Sequence, residues 1–109
     1  MSTTEFAAEV RRQGGAGVLE LSGQISSAAE EGLREAYGEV AGEPKVLLDF
    51  SHVDYINSTG IALIVGILAE ARKNGQELQA SGLAEHYREI FRITRLSDFM
   101  TILDDGEGK

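Results

Sequence analysis

The feature that most constrains the fold is a short apolar run, Val46 to Phe50, whose only polar member is Asp49. A continuous apolar run of this length is short for a helix and is typical of a strand covered on both faces of a sheet. Pro44 comes just before the run and ends the helical pattern that precedes it. We therefore predict that residues 46–50 form a central strand.

Other segments also have strand patterns. Phe6, Ala8 and Val10 alternate with other residues, and a glycine-rich segment at 13–17 separates them from a second apolar run. This arrangement predicts a β-hairpin. The remaining predicted strands are residues 18–22, residues 76–81, and a final short strand or packed tail within 96–103.

Three segments carry apolar residues at helical spacing. The first starts with a capping box, in which Ser27 is followed three residues later by Glu30. The predicted helices are residues 27–40, residues 59–73 and a third one marked by Leu83, Tyr87, Ile90 and Phe91. Because strands and helices alternate after the hairpin, we predict an α/β fold. It has a small, mostly parallel β-sheet with an N-terminal β-hairpin and helices packed on it.

Length and composition predict one domain over residues 1–109, with an ordered core at about 5–103 and a frayed tail at 104–109. The formal net charge of -8 repels phosphate backbones, so we expect no direct binding to nucleic acid. No apolar run approaches the roughly 20 residues that a membrane span needs, and the first residues lack the pattern of a signal peptide. We expect a cytoplasmic location without membrane insertion.

The sequence indicates no cofactor and no metal site. It contains no cysteine, which excludes disulfides and zinc-thiolate sites. His52 and His86 are far apart and have no acidic residues at ligand spacing, so neither is assigned a role. The segment 14–17 is rich in glycine but lacks the Lys-Ser/Thr pair of a phosphate-binding loop.

The segment from Asp54 to Ile61 carries small polar residues between the central strand and an apolar helix. Such strand ends are where α/β folds place their sites. Ser58 or one of its neighbours can cap the free N–H groups of the helix, and the positive end of the helix dipole also stabilises an added phosphate. From the residues alone, Ser58 is therefore either a plain cap or a site of modification.

The helix after Ser58 has two distinct faces. Its predicted core stripe consists of Ile61, Ile64, Val65, Leu68 and Ala71. The small residues Ala62, Gly66 and Ala69 form another face, which suits packing on a neighbouring helix of the same domain or docking of a partner. Leu63 is predicted to be an exposed contact residue beside Ser58.

Two stretches resemble the signature of STAS domains of the anti-sigma-factor-antagonist group. The first, residues 46–51, is an apolar strand ending in Asp-Phe-Ser; the second, residues 56–64, reads Ile-Asn-Ser-Thr-Gly-Ile-Ala-Leu-Ile. Residues 21–26 are similar to the family's Gly-Glu-Leu-Asp turn, and residues 91–96 to its Phe-x-x-Thr-Gly-Leu helix end. The resemblance covers roughly residues 5 to 103.

The resemblance implies a regulatory partner switch rather than an enzyme. The unmodified protein would bind a cognate anti-sigma factor that is also a serine kinase, which frees a sigma factor, and phosphorylation of Ser58 would break the complex. Thr59 is the fallback acceptor, ATP and magnesium would belong to the kinase, and a weak homodimer is a further expectation. The residues expected to contact the partner are Gly23, Gln24, Ser26, Asn57, Ser58, Thr59, Gly60 and Leu63.

The chain departs from the family pattern at two places. Asn57 precedes the phosphoacceptor where the family usually has Asp, and Gln24 and Ser26 stand where it usually has Glu and Asp. Both changes remove negative charge. Asn57 would not repel a phosphate on Ser58, although a kinase that recognises the carboxylate would bind less well.

Three other functions compete with this one. A STAS scaffold subunit of a stress-signalling or transport assembly would keep the fold but need no phosphorylation. A hydrolase using Ser58 would need a nucleophile elbow and a base, which the sequence does not supply. A phospho-receiver domain would need an acidic pair after its first parallel strand, and residues 23–26 offer none.

Overall fold

The first two strands form an antiparallel hairpin around a two-residue turn of glycines, Gly14 and Gly15. The computed structural model describes residues 5–103; the predicted frayed tail at 104–109 lies outside these residues. β1 spans Ala7–Gln13 and β2 spans Ala16–Ile25, with Gln13 paired to Ala16 across the turn. The predicted hairpin is confirmed, and its second strand is longer than expected.

The sheet has five strands in the order β1-β2-β3-β4-β5. Only the β1–β2 pair is antiparallel; each later strand pairs in parallel with the one before it. The predicted α/β fold with a mostly parallel sheet is therefore confirmed, and β3 is the central strand. The remaining elements are α1 (Glu30–Val40), β3 (Lys45–Ile56), α2 (Ser58–Lys73), β4 (Glu77–Ser81), α3 (Glu85–Ile93) and β5 (Thr101–Ile102).

The core lies on one face of the sheet. Val46, Leu48 and Phe50 of β3 are buried in one cluster with residues of all three helices, among them Tyr37, Ile64 and Phe91. The Phe50 and Phe91 rings meet edge to face at 6.1 Å. The alternate residues Lys45, Leu47 and Asp49 are only partly buried. The prediction that this strand is covered on both faces is wrong, because the helices cover one face only.

β3 is longer than its apolar run. Residues 51–56, predicted as a loop, continue the strand and pair with the end of β2, where the register shifts around Gly23. Ser51, His52, Asp54 and Tyr55 are exposed, so their polarity reflects solvent exposure and not a loop conformation. The strand therefore extends up to the residue before Asn57.

The start of the first helix also differs from its prediction. Ser27–Ala29 form a short 3-10 turn, and α1 begins only at Glu30. Neither the turn nor the helix has a side-chain cap, so the predicted capping box is wrong. Residues 59–73 are helical as predicted, with Ser58 added at the start. No helix within 5–103 is long and apolar enough to cross a membrane.

Candidate functional site

Asn57 connects the end of β3 to the start of α2. Its backbone is extended, and its side-chain oxygen accepts a 2.8 Å hydrogen bond from the Gly60 N–H. Its backbone carbonyl accepts from the Ile61 N–H at 2.9 Å. Asn57 is thus the N-cap of α2, and the expectation that Ser58 or a neighbour caps the helix is met by the neighbour.

Ser58 and Thr59 are the first two residues of α2, and both are exposed. Neither hydroxyl is engaged in a hydrogen bond to another residue of the 5–103 region, and the first turn of the helix carries no acidic residue. Their backbone N–H groups precede the two that Asn57 satisfies, so they belong to the unpaired donors of the helix end. A hydroxyl in this position is accessible for modification, and the helix end favours an added negative charge.

Gly60 allows α2 to begin against the end of β2. A Cβ atom at this position would lie 2.1 Å from the Ile25 carbonyl oxygen, which leaves room only for glycine. The Asn57 N–H also donates to that carbonyl oxygen, at 3.2 Å. These contacts hold the Ser58 end of α2 next to the last residues of β2, where the sequence predicted the second part of the site.

The end of β2 supplies the other predicted contact residues. Gln24 and Ser26 are partly exposed, and Gln24 pairs with Tyr55 in the parallel register of β2 and β3. Gly23 is buried with a φ of 81°, a left-handed conformation that favours glycine at the register shift. Gly23 and Gly60 are both buried, so they shape the edge of the sheet; their contact with a partner stays a prediction.

Two tyrosines at this edge were missed by the sequence analysis. Tyr55 is 52% exposed, although Ile56 beside it is buried. The Tyr87 hydroxyl of α3 accepts a 3.0 Å hydrogen bond from the Ile56 N–H and ties α3 to the end of β3. The alternation of exposed and buried residues in 51–56 was the available signal for Tyr55, but it was hidden by the interpretation of that segment as a loop.

A groove of about 270 Å³ lies between α1 and α2, on the helix that starts at Ser58. Ala62 and Gly66 line it and are exposed, as is Ala69, so the interpretation of the small face as packed on a neighbouring helix is wrong. Leu63 also lines the groove but is half-buried against the core, contrary to its predicted exposure. The rim carries Glu30, Arg34 and Glu70.

The predicted core stripe of α2 is wrong at one position. Val65 is 41% exposed, whereas Ile67, which was not included in the stripe, is 6% exposed. Both residues flank the buried line through Ile64 and Leu68. The groove beside α1 decides which flank is covered, and helical periodicity alone does not contain that information.

The histidines lie apart from this edge's polar residues. His52 is exposed on β3, and His86 is exposed and stacks against Tyr87 with ring centroids 5.0 Å apart. In the described part of the chain, no group of three or more His, Cys, Asp or Glu side chains is arranged to hold a metal ion.

Comparison with known proteins identifies relatives over most of the chain. Residues 8–104 match a family described as "Mlab, STAS domain". The anti-sigma-B factor antagonist of Staphylococcus aureus is 29% identical over 90 residues, which cover 83% of this chain and 74% of the relative.

Two solved structures share the fold. An anti-sigma factor antagonist from Mycobacterium paratuberculosis superposes with a TM-score of 0.78 at 22% identity, covering 93% of this chain and 90% of that one. The Bacillus cell fate determinant SpoIIAA in its phosphorylated form gives a TM-score of 0.71 at 17% identity, covering 93% and 95%. At these identities the likeness is one of fold.

Proposed function

The chain belongs to the STAS domain family, and from that premise we propose that it is an anti-sigma factor antagonist switched by phosphorylation at Ser58. As a member of this family, it is a regulatory binding domain and not an enzyme. In its unmodified form it binds an anti-sigma factor that is also a serine kinase, which releases the sigma factor. Phosphorylation by that kinase ends the binding.

The observation that carries the proposal is the environment of Ser58. Its side chain is exposed at the first residue of α2, while Asn57 performs the capping. The hydroxyl is therefore available to a kinase without loss of the bond that starts the helix. The free N–H groups of the first turn favour the phosphate once it is attached.

Electrostatics explain how a phosphate would end the complex. A phosphoserine adds roughly -1.5 to -2 charges at neutral pH, and the chain already has a net charge of -8. If the Ser58 end of α2 lies in the interface, the phosphate must lose water and meet the partner's surface. Both effects oppose binding, so one modification suffices to release the partner.

The direct test is phosphate transfer. The purified chain is incubated with the anti-sigma kinase encoded beside it, ATP and magnesium, and the product is examined by intact-protein mass spectrometry with site mapping. We expect one phosphate on Ser58, none on Ser58→Ala, and unchanged transfer to the neighbouring Thr59→Ala variant. Phosphate that maps to Thr59 in the unaltered protein would contradict the assignment of Ser58.

Binding is measured separately by calorimetry with the same kinase. Ser58→Ala should bind like the unaltered protein, while Ser58→Asp should bind more weakly because it adds charge at the helix start. Thr101→Asp adds the same charge on the exposed edge strand β5 and should have little effect. Equal affinity of Ser58→Ala and Ser58→Asp would count against the switch.

Asn57 favours one competing function, a STAS scaffold subunit that binds its assembly without phosphorylation. Asparagine makes the cap bond that aspartate would make, but it lacks the carboxylate that a kinase of this family recognises. A stable complex with the anti-sigma factor and no phosphate transfer would support the scaffold role. Transfer restored by Asn57→Asp would then show that the missing carboxylate was the reason.

A further inference from the structure

The outer edge of the sheet at β1 has unpaired backbone groups. In a hairpin with a two-residue turn, the pair that flanks the turn exchanges both hydrogen bonds, and the pairs then alternate. Since Gln13 and Ala16 flank this turn, Ala7, Glu9 and Arg11 bond to β2. The N–H and C=O groups of Phe6, Ala8 and Val10 therefore point away from the sheet. They are an open template for another strand.

A groove of about 340 Å³ runs along this open edge. Phe6, Ala8 and Val10 form its floor; their side chains are half-buried and pack against the core. Gly32 and Ala36 of α1 form part of its wall, and the small size of Gly32 leaves room for the Phe6 ring, which would lie 3.2 Å from a Cβ there. An added strand would cover these half-exposed apolar side chains.

The wall of the groove is acidic. Glu35 and Glu39 of α1 line it, and no lining residue is basic. Within the described region, the Glu35 and Glu39 carboxylates form no ion pair, whereas nearby Arg12 is paired to Glu43. One helical turn, about 6 Å, separates Glu35 from Glu39, which is close to the about 7 Å between side chains on one face of a strand.

We propose that the β1 edge binds an extended segment of another protein as a sixth strand, and that this segment carries two basic side chains at alternate positions facing Glu35 and Glu39. Main-chain hydrogen bonds to Phe6, Ala8 and Val10 supply affinity, and the carboxylates supply selectivity. This surface is separate from Ser58. A second copy of the chain fits less well, because two-fold pairing of β1 brings the acidic walls of two copies together.

The probe is a blocked peptide, Thr-Val-Thr-Lys-Thr-Lys-Thr-Val-Thr, titrated by calorimetry and by amide NMR. We expect saturable binding, with slowed hydrogen exchange at the amides of Phe6, Ala8 and Val10 and little change at Ala7 and Glu9. Replacing both lysines with glutamates should lower the affinity at least about tenfold. No binding at millimolar peptide would overturn the proposal.

Backbone pairing is tested by two peptides N-methylated on alternate amides. Only one of the two sets can face β1, so one peptide should lose binding and the other keep it. Ala8→Pro provides the matching change in the protein, since the N–H that it removes points away from β2 and proline is tolerated at such edge positions. Equal binding of both methylated peptides would show attraction by net charge alone and overturn the proposal.

Selectivity is tested by a matched pair of charge reversals on α1. Glu35→Lys should lower peptide affinity about tenfold, whereas Glu31→Lys, on the same helix but outside the groove lining, should change it little. Equal effects of the two reversals would contradict the role of Glu35. Sedimentation without peptide completes the test: a dimer that Ala8→Pro makes monomeric would overturn the proposal in favour of a second copy.

Discussion

Asn57 and Ser58 are neighbours with separate tasks. The Asn57 side chain holds the first turn of α2 through the Gly60 N–H, while the Ser58 side chain is exposed and makes no such bond. A serine that capped the helix would have to give up a stabilising contact to become phosphorylated. In this chain the modifiable hydroxyl and the cap are different residues, so modification leaves the helix start intact.

This separation predicts opposite results for two substitutions. Asn57→Ala removes the cap acceptor and should lower the free energy of unfolding by about 1 kcal/mol. Ser58→Ala should leave it within about 0.5 kcal/mol, as expected for a surface position. Urea denaturation measures both values. A loss for Ser58→Ala as large as that for Asn57→Ala would mean that the serine also stabilises the helix end.

A second pair of substitutions tests the contact between α2 and β2. Gly60→Ala forces a Cβ against the Ile25 carbonyl and should lower the free energy of unfolding by about 1–3 kcal/mol. Gly66→Ala makes the same change on the exposed face of the same helix, where nothing lies within 4 Å. It should raise stability by about 0.5–1 kcal/mol. Thermal unfolding of both variants would reveal any departure from these opposite signs.

At the scale of elements, periodicity predicted which segments fold but not how their ends are made. The hairpin, the central strand and α2 followed from local patterns. The extension of β3 through residues 51–56 did not, because its exposed polar side chains alternate with few apolar ones. It is held by parallel pairing to β2, a long-range contact that sequence spacing does not report.

The candidate site was predicted in the same uneven way. Ser58 was found by resemblance, and its exposure at a helix start was anticipated from its position after the central strand. The roles of Val65 and Ile67 were not, because both lie on the flanks of one apolar stripe and only the position of α1 decides between them. Tyr87 was assigned to the core, and its hydroxyl contact with the Ile56 N–H depends on tertiary packing.

Gln76 joins two elements that the sequence does not connect. Its side-chain amide donates to the carbonyls of Val40 at 2.9 Å and Glu43 at 2.7 Å, just after α1, and its oxygen accepts from the Tyr37 hydroxyl. Asn74 donates to that hydroxyl at 3.0 Å. The end of α1 is thereby fixed to the turn between α2 and β4.

Gln76→Glu should loosen this junction. The carboxylate cannot donate, so it leaves two carbonyls without their partner and sets negative charge beside them. We expect a loss of about 1–3 kcal/mol in the free energy of unfolding at neutral pH, measured by urea denaturation. Gln13→Glu, an equal change in the exposed hairpin, should cost less than about 0.5 kcal/mol. Similar losses at the two positions would mean that added charge, and not the junction, is responsible.

At the scale of the whole molecule, net charge outweighs individual ion pairs. Pairs such as Arg34–Glu30 and Arg95–Asp98 are largely exposed, so each contributes little. The net charge of -8 instead opposes compaction through self-repulsion. Screening should therefore stabilise this protein more than it weakens the surface pairs.

Raising sodium chloride from 20 mM to 200 mM should accordingly raise the melting temperature by about 3–6 °C, which corresponds to about 0.5–1 kcal/mol. The measurement is a calorimetric scan at neutral pH. The variant Glu9→Gln/Glu70→Gln carries two fewer charges and should respond less. A melting temperature that falls with salt would show that the ion pairs dominate.

The order of the strands in the sheet repeats their order along the chain. No strand has to be inserted between two that are already paired, so the sheet can grow at a single edge. During synthesis the hairpin can form first, and each strand that leaves the ribosome then finds its neighbour already in position. The protein's assembly can therefore follow the direction in which it is translated.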